Sequence, residues 1–227
     1  MNKHLTEIAF VLDRSGSMQS MATAAIDGFN HFLKSQQSAP DHARLTLVLF
    51  DDEYLVPQVS SPVVEVRPLT RETYVPRNST ALLDAIGRTI EELGQRLAAT
   101  PEPERPGKVI VAILTDGEEN ASTQFTWTQI AERIRHQTAH YQWEFFFLGA
   151  NQDAIATAAK MSIAPQNAAT YVGDSLGQFS GSAALARKAN AVRSKAAGKK
   201  MSPAEALDAE APLSNILNEE DSNRRGK

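Results

Sequence analysis

Four continuous apolar runs, Glu7 to Leu12, Arg44 to Phe50, Lys108 to Leu114 and Trp143 to Leu148, limit what this chain can fold into more than any other feature. A strand with one wet face alternates apolar and polar residues, whereas a strand covered on both faces does not. Unbroken runs of this length therefore point to a mostly parallel sheet sandwiched by helices. The stretches between them carry helical spacing. Met18 to Gln37, Ala81 to Ala98 and Thr126 to Thr138 set apolar residues three and four apart, as in Leu82, Leu83, Ile86, Ile90, Leu93 and Leu97. Tyr54 to Val66 is rich in Val but contains Pro57 and Pro62, which suits an edge strand returning as a hairpin arm after Phe50. The order predicts an α/β fold: a doubly wound, mostly parallel central sheet with one antiparallel edge strand and helices on both faces.

Further along, Ala154 to Met161 reads as a short helix and Ala169 to Val172 as a last strand, after which Asp174 or Ser175 can cap a helix running to about Ala197. The composition breaks after Gly198. Residues 1–198 are read as one domain and 199–227 as a tail, in which Ser202, Pro203 and Glu205 open a short helix to about Glu210. The remainder reads as mobile and the tail as dispensable for folding.

With 227 residues the chain suits a single α/β domain plus a tail. A net charge of −4 offers no broad cationic surface for phosphates, so nucleic acid is not an expected partner. There is no cysteine, which excludes disulfides, thiolate metal sites and a Cys nucleophile; any chemistry must use oxygen and nitrogen. Ile8 to Leu12, closed by Asp13, is too short for a signal-peptide core or a membrane span, and no later stretch is long and apolar enough. A cytoplasmic protein without a membrane partner is the expectation.

The first run ends in Asp13-Arg14-Ser15-Gly16-Ser17, directly before a helix. In a doubly wound sheet, ligands bind in the crevice beyond the carboxyl ends of the strands, and three oxygen-bearing side chains at alternate positions of that turn converge there. Such a set suits a hard cation. Mg²⁺ takes six oxygens in an octahedron and usually keeps several waters, so one carboxylate and two hydroxyls supply part of its shell.

Asp13-x-Ser15-x-Ser17 resembles the opening of the metal-ion-dependent adhesion site of von Willebrand factor type A domains, whose fold is Rossmann-like. The family adds a Thr from a later loop and an Asp at the end of the fourth strand. Thr80, in Asn78-Ser79-Thr80-Ala81-Leu82-Leu83-Asp84-Ala85-Ile86, is similar to the former, and Asp116, in Leu114-Thr115-Asp116-Gly117, to the latter. The resemblance covers roughly residues 5 to 197 and implies that Ser15, Ser17 and Thr80 touch the metal directly, while Asp13 and Asp116 act partly through water. The metal so implied is Mg²⁺, with Mn²⁺ or Ca²⁺ as alternatives. One departure is that many relatives carry Gly before the Thr, where this chain has Asn78 and Ser79; Asn tolerates positive φ better than most non-Gly residues.

What the resemblance implies for function is a cation-dependent protein–protein interaction module, held by neutral hydroxyls and left with an open position for a Glu or Asp carboxylate of a partner. Family analogy further suggests an adaptor in an intracellular complex of bacterial or phage type, with an AAA+ ATPase, a kinase or a phosphatase among the partner classes. The competing reading is a metal-dependent hydrolase of phosphoesters. Against it, a haloacid dehalogenase-type phosphatase wants an Asp where Ser15 stands, and there is neither a Gly-x-Ser-x-Gly elbow nor a phosphate loop nor a His placed as base. The chain is expected not to be an enzyme.

Other residues get plainer readings. Asp84 belongs to a helix N-terminus. Asp51-Asp52-Glu53 reads as a solvated hairpin turn that shapes the rim of the crevice, with Asn151-Gln152-Asp153 in a similar place. The five histidines lack a His-Glu-x-x-His spacing, and Phe145, Phe146 and Phe147 belong to the core on alternating faces. From Arg187 to Lys200 there are six basic residues and no acid, followed by six acids from Glu205 to Asp221. The basic stretch is either a solvated helix end or a dock for an acidic partner, and the acids could fold back onto it.

Overall fold

The computed structural model describes residues 1–150 and 153–226. Its centre is a six-stranded sheet. The strands are β1 (Asn2–Asp13), β2 (His42–Phe50), β3 (Tyr54–Pro62), β4 (Pro106–Thr115), β5 (Glu144–Ala150) and β6 (Ala168–Tyr171), in the spatial order β3-β2-β1-β4-β5-β6. Every neighbouring pair is parallel except β2 and β3, which form the antiparallel edge. The sheet is therefore doubly wound as the apolar runs predict, and Pro57 sits on its edge strand.

Alternation along each run splits the core in two. Phe10, Leu12, Leu47, Leu114 and Phe146 face α1 (Ala22–Ser38) and α5 (Ser175–Ala196). Val11, Val48, Ile113, Phe145 and Phe147 face α2 (Leu82–Ala99), α3 (Trp127–Tyr141) and α4 (Ala154–Lys160). Nearly all residues of the four runs, Arg44, Lys108 and Glu144 excepted, are buried whichever way they point, which is why the runs are unbroken. The α1–α5 contact is close because it is built from small residues: a Cβ on Gly28 would lie 2.5 Å from Ser182 Oγ.

Local boundaries differ from the sequence reading in small ways. A 3₁₀ turn, Gly16–Met21, precedes α1 where a helix from Met18 was expected, and Val63–Glu65 turns out of line after β3. Asp174 caps α5 by accepting from the Gly177 N–H at 2.7 Å, and Ser202 with Glu205 forms the expected capping box of α6 (Pro203–Glu210).

The larger difference is at the C-terminus. The residues read as a mobile tail form α7 (Leu213–Arg225), which buries Leu213, Ile216 and Leu217 in the same core as α5. These three residues have helical three-and-four spacing, but the segment around them is so polar that the stripe is overlooked. The acids fold back on the basic stretch. Arg187 pairs with Asp208, Glu219 and Glu220, Lys188 donates to the carbonyls of Asp208, Ala209 and Ala211, and Lys195 pairs with Glu210. Arg193 is buried and donates to the carbonyls of Gln36 and Asp41, and Lys199 pairs with Asp41. The stretch is thus tied into the protein rather than held out as a cationic dock. Among the described residues, no helix is long and apolar enough to cross a membrane.

Candidate metal centre

β1 lies between β2 and β4, and the chain winds away from it in both directions. The carboxyl ends of β1 and β4 consequently flank the crevice where the strand order reverses, the place at which doubly wound sheets bind ligands. Asp13 is the last residue of β1. Thr115 is the last of β4, and Asp116 follows it.

The Asp13 carboxylate is completely buried. One oxygen accepts from the Ser15 N–H at 2.6 Å, and the other accepts from the Thr115 hydroxyl in a short contact. Ser15 Oγ lies 3.1 Å from Ser17 Oγ, which in turn donates to Asp116 Oδ1 at 2.6 Å. Thr80 joins from the opposite loop: a Cβ on Gly117 would sit 2.8 Å from Thr80 Oγ1 and 3.5 Å from Ser17 Oγ, so any side chain there would push the Thr80 hydroxyl aside. All five residues singled out in the sequence, Asp13, Ser15, Ser17, Thr80 and Asp116, are brought to one place. Asp13, Ser15 and Thr80 are buried, while Gly16 and Ser17 are exposed, so the cluster is closed below and open above.

The segment carrying Thr80 has no regular structure, yet its backbone is bonded on every side. Arg77 N–H donates to Arg14 O, Asn78 O accepts from Gly16 N–H, and Ala81 N–H donates to Asp51 O. Asn78 holds φ at 58°, a left-handed conformation that Asn tolerates better than most non-Gly residues. On the other side Thr80 N–H donates to Asn120 Oδ1 at 2.9 Å. The start of α2 has no capping side chain of its own; instead Glu119 accepts from Leu83 N–H and Ser122 Oγ from Asp84 N–H. Asp84 returns the arrangement by accepting from the N–H groups of Thr123, Gln124 and Phe125. It braces the loop after Asp116 rather than its own helix end.

Two tyrosines close the floor. Tyr74 donates its hydroxyl to Asp13 O at 2.5 Å and Tyr171 to Thr115 O at 3.1 Å; burial pushes both phenols well above their usual range. Thr115, Tyr74, Tyr171, Glu119 and Asn120 had no role in the sequence reading. Thr115 adjoins Asp116 within a segment already picked out, but nothing periodic marks Tyr74. Asp51 also departs from expectation. Asp52 and Glu53 are exposed turn residues, whereas Asp51 is fully buried and pairs with Arg14 at 3.1 Å and Arg77 at 2.8 Å. Asp153 caps α4 through Ala156 N–H; Asn151 and Gln152 lie outside the described residues.

Burial pushes the Asp13 carboxyl up from its usual 3.8 to about 6, against the pull of the Thr115 and Ser15 hydrogen bonds and with added repulsion from Asp116. Asp116 is raised too, first by burial and in spite of its bond from Ser17. Neither carboxylate pairs with a Lys, Arg or His among the described residues; the nearby Arg14 is engaged by Asp51. A buried carboxylate and a half-buried one that repel each other, beside three hydroxyls, form an oxygen donor set that suits a hard divalent cation. Among the described residues no three His, Cys, Asp or Glu side chains gather as a metal cluster. A cation here would therefore depend on the hydroxyl oxygens.

A model of the von Willebrand factor type A domain matches residues 7–184. No curated protein matches the chain. Among solved structures, it is similar to proximal thread matrix protein 1 from the mussel byssus with zinc-occupied MIDAS motif (TM-score 0.55, 16% identity, 82% of this chain and 46% of that one). It also resembles the manganese-loaded TRAP protein of Plasmodium vivax (TM-score 0.52, 16% identity, 76% of this chain and 70% of that one). A third is the vWF domain of the type V pili tip protein Mfa5 from Porphyromonas gingivalis (TM-score 0.55, 11% identity, 82% of this chain and 95% of that one). The chain spans about half the length of the byssus protein, and at these identities the likeness concerns the fold.

Proposed function

The chain belongs to the von Willebrand factor type A family, and on that premise we propose that it is a divalent-cation-dependent protein-interaction module and not an enzyme. The observation that carries the reading is the cup at the switch point: buried Asp13, Ser15 and Thr80 below, Ser17 and Asp116 toward the opening. Ser15, Ser17 and Thr80 would offer hydroxyl oxygens to the cation, with Asp13 and Asp116 supplying the charge. A bound cation, Mg²⁺ in preference to Mn²⁺ or Ca²⁺, supplies an exchangeable position for an outside carboxylate. The byssus protein with its zinc-occupied MIDAS motif and the manganese-loaded TRAP protein support a divalent ion as the ligand.

The partner is a protein offering a Glu or Asp, and the chain acts as an adaptor in a cytoplasmic complex, for which an AAA+ ATPase, a kinase or a phosphatase is a fitting class. The binding reading is preferred to phosphoester hydrolysis because the oxygens at the site are bound to one another and none of the chain's histidines is at the carboxyl ends of the strands that form the site. His4 and His42 lie at the opposite ends of their strands, and His31, His136 and His140 lie on α1 and α3. Calorimetry with Mg²⁺ tests the site: one ion should bind the wild type and none the Asp13→Ala, Ser15→Ala double variant, with circular dichroism unchanged. Capture of a partner in Mg²⁺ that is lost both in EDTA and in Thr80→Ala tests the mechanism. Metal-dependent phosphoester turnover lost in Thr80→Ala would refute the binding module in favour of the enzyme.

A further inference from the structure

The loop that follows Asp116 has no regular structure, yet it is bolted to the loop that carries Thr80. Glu119 folds it by accepting from Ala121 N–H at 3.0 Å, Ser122 N–H at 2.8 Å and the Ser122 hydroxyl at 2.7 Å, while also accepting from Leu83 N–H at 2.9 Å. Between these bolts stands Asn120, the residue that grips Thr80 itself. Asn120 Oδ1 accepts from Thr80 N–H at 2.9 Å, and Thr80 O accepts from Asn120 N–H at 3.0 Å and from Ala121 N–H at 3.2 Å. Thr80 is thereby held at both its peptide groups by a segment that begins only four residues after Asp116. Gly117 completes the coupling, since the space where its Cβ would lie is bounded by Thr80 Oγ1.

We infer that Asn120 is a positioning residue for Thr80: through its side-chain amide it fixes the Thr80 hydroxyl relative to the Asp116 carboxylate, so that the two loops present their oxygens as one unit. The inference rests on the cation reading above for its consequence but not for its geometry. Asn120 is exposed and touches none of the other four site residues by its side chain, so its effect has to pass through Thr80. Glu119, Ser122 and Asp84 hold the loop independently, which leaves the fold in place when the Asn120 amide is removed.

Two measurements on the full chain test it. In EDTA, amide hydrogen exchange at Thr80 should speed up about tenfold or more in Asn120→Ala while Leu83 and Asp84 exchange as in the wild type, because one hydrogen bond is lost locally. In calorimetry with Mg²⁺, Asn120→Ala should bind several-fold more weakly than the wild type, and Asn120→Ala with Thr80→Ala should bind no more weakly than Thr80→Ala alone. That non-additivity is what a residue acting through Thr80 produces, and a general loosening of the loop does not. Unchanged exchange at Thr80, wild-type Mg²⁺ affinity in Asn120→Ala, or losses that multiply in the double variant would each overturn the inference. A wild type that binds no Mg²⁺ while exchange at Thr80 still responds to Asn120→Ala would refute the cation reading and uphold the grip on Thr80.

Discussion

Replacing Asp13 with Asn should raise the melting temperature of the metal-free protein at neutral pH and abolish its response to Mg²⁺, although the side chain is fully buried and hydrogen-bonded. The folded carboxyl titrates at about 6 against its usual 3.8. A folded value above the unfolded one means that the fold holds the proton more tightly. That contribution is complete below about pH 4 and is lost as pH rises through 6, so the ionised group burdens the metal-free fold at neutral pH by about 3 kcal/mol. Asn removes the charge at nearly constant volume and keeps an acceptor for Ser15 N–H. It takes away an acceptor of the Thr115 hydroxyl, which has the Gly117 carbonyl 3.2 Å away as an alternative. Setting about 1 kcal/mol against that exchange leaves a net gain of about 2 kcal/mol. In a chain of this size it corresponds to a rise of about 4–8 °C. Thermal melts in EDTA at about pH 7.5 and about pH 4.5 check it: the gain should appear at the higher pH and vanish at the lower, where the wild-type group is already protonated. Added Mg²⁺ should then stabilise the wild type and leave Asp13→Asn unmoved. A variant that melts below the wild type at both pH values, or one that keeps the full Mg²⁺ shift, would refute the reasoning.

The other expectations follow from single contacts. Gly117→Ala puts a methyl 2.8 Å from Thr80 Oγ1 and should weaken Mg²⁺ binding in calorimetry while the melt in EDTA stays close to wild type. Asp51→Asn leaves the buried Arg14 guanidinium with only the exposed Glu53 carboxylate, 3.6 Å away, and denaturant unfolding should show a loss approaching about 3 kcal/mol. Ending the chain after Gly198 removes Leu213, Ile216 and Leu217 from the core, each worth about 1.5–3 kcal/mol, together with the acids that hold Arg187. The sum rivals the stability of a whole domain, so the shortened protein should lose its cooperative melt, and a retained melt would show α6 and α7 to be accessory.

How much of the fold was legible depends on whether the pattern is local. Phe145, Phe146 and Phe147 could be assigned to alternating faces because strand geometry is set residue by residue, and they do divide between the two core layers. The edge position of β3 was legible through Pro57 for the same reason. The C-terminal helix was not, because what holds α7 is long-range. Its buried stripe is only Leu213, Ile216 and Leu217, and its place is set by ion pairs from Arg187 to Glu219 and Glu220, which a reading of adjacent residues treats as loose surface charge.

In the site, Asp13, Ser15 and Ser17 stand together in the chain and can be read from their spacing, whereas Thr80 and Asp116 need the family resemblance, since Ser17 bonds to Asp116 across 99 positions. Neither route reaches the residues that decide what those oxygens do. The buried Asp13 is held at its main-chain carbonyl by the hydroxyl of Tyr74, itself buried and 61 residues away, whose own segment has no pattern to draw attention to it. A motif names the donor atoms; the burial that leaves Asp13 poised near 6, and the absence of a paired arginine because Asp51 has taken Arg14, come from elsewhere in the chain. It follows that the same five residues on a wetter floor would present two ordinary carboxylates with no deficit of positive charge to fill. On the cation reading, the demand for positive charge is therefore a property of Asp51, just after the second strand, and of the two tyrosines as much as of the five donors.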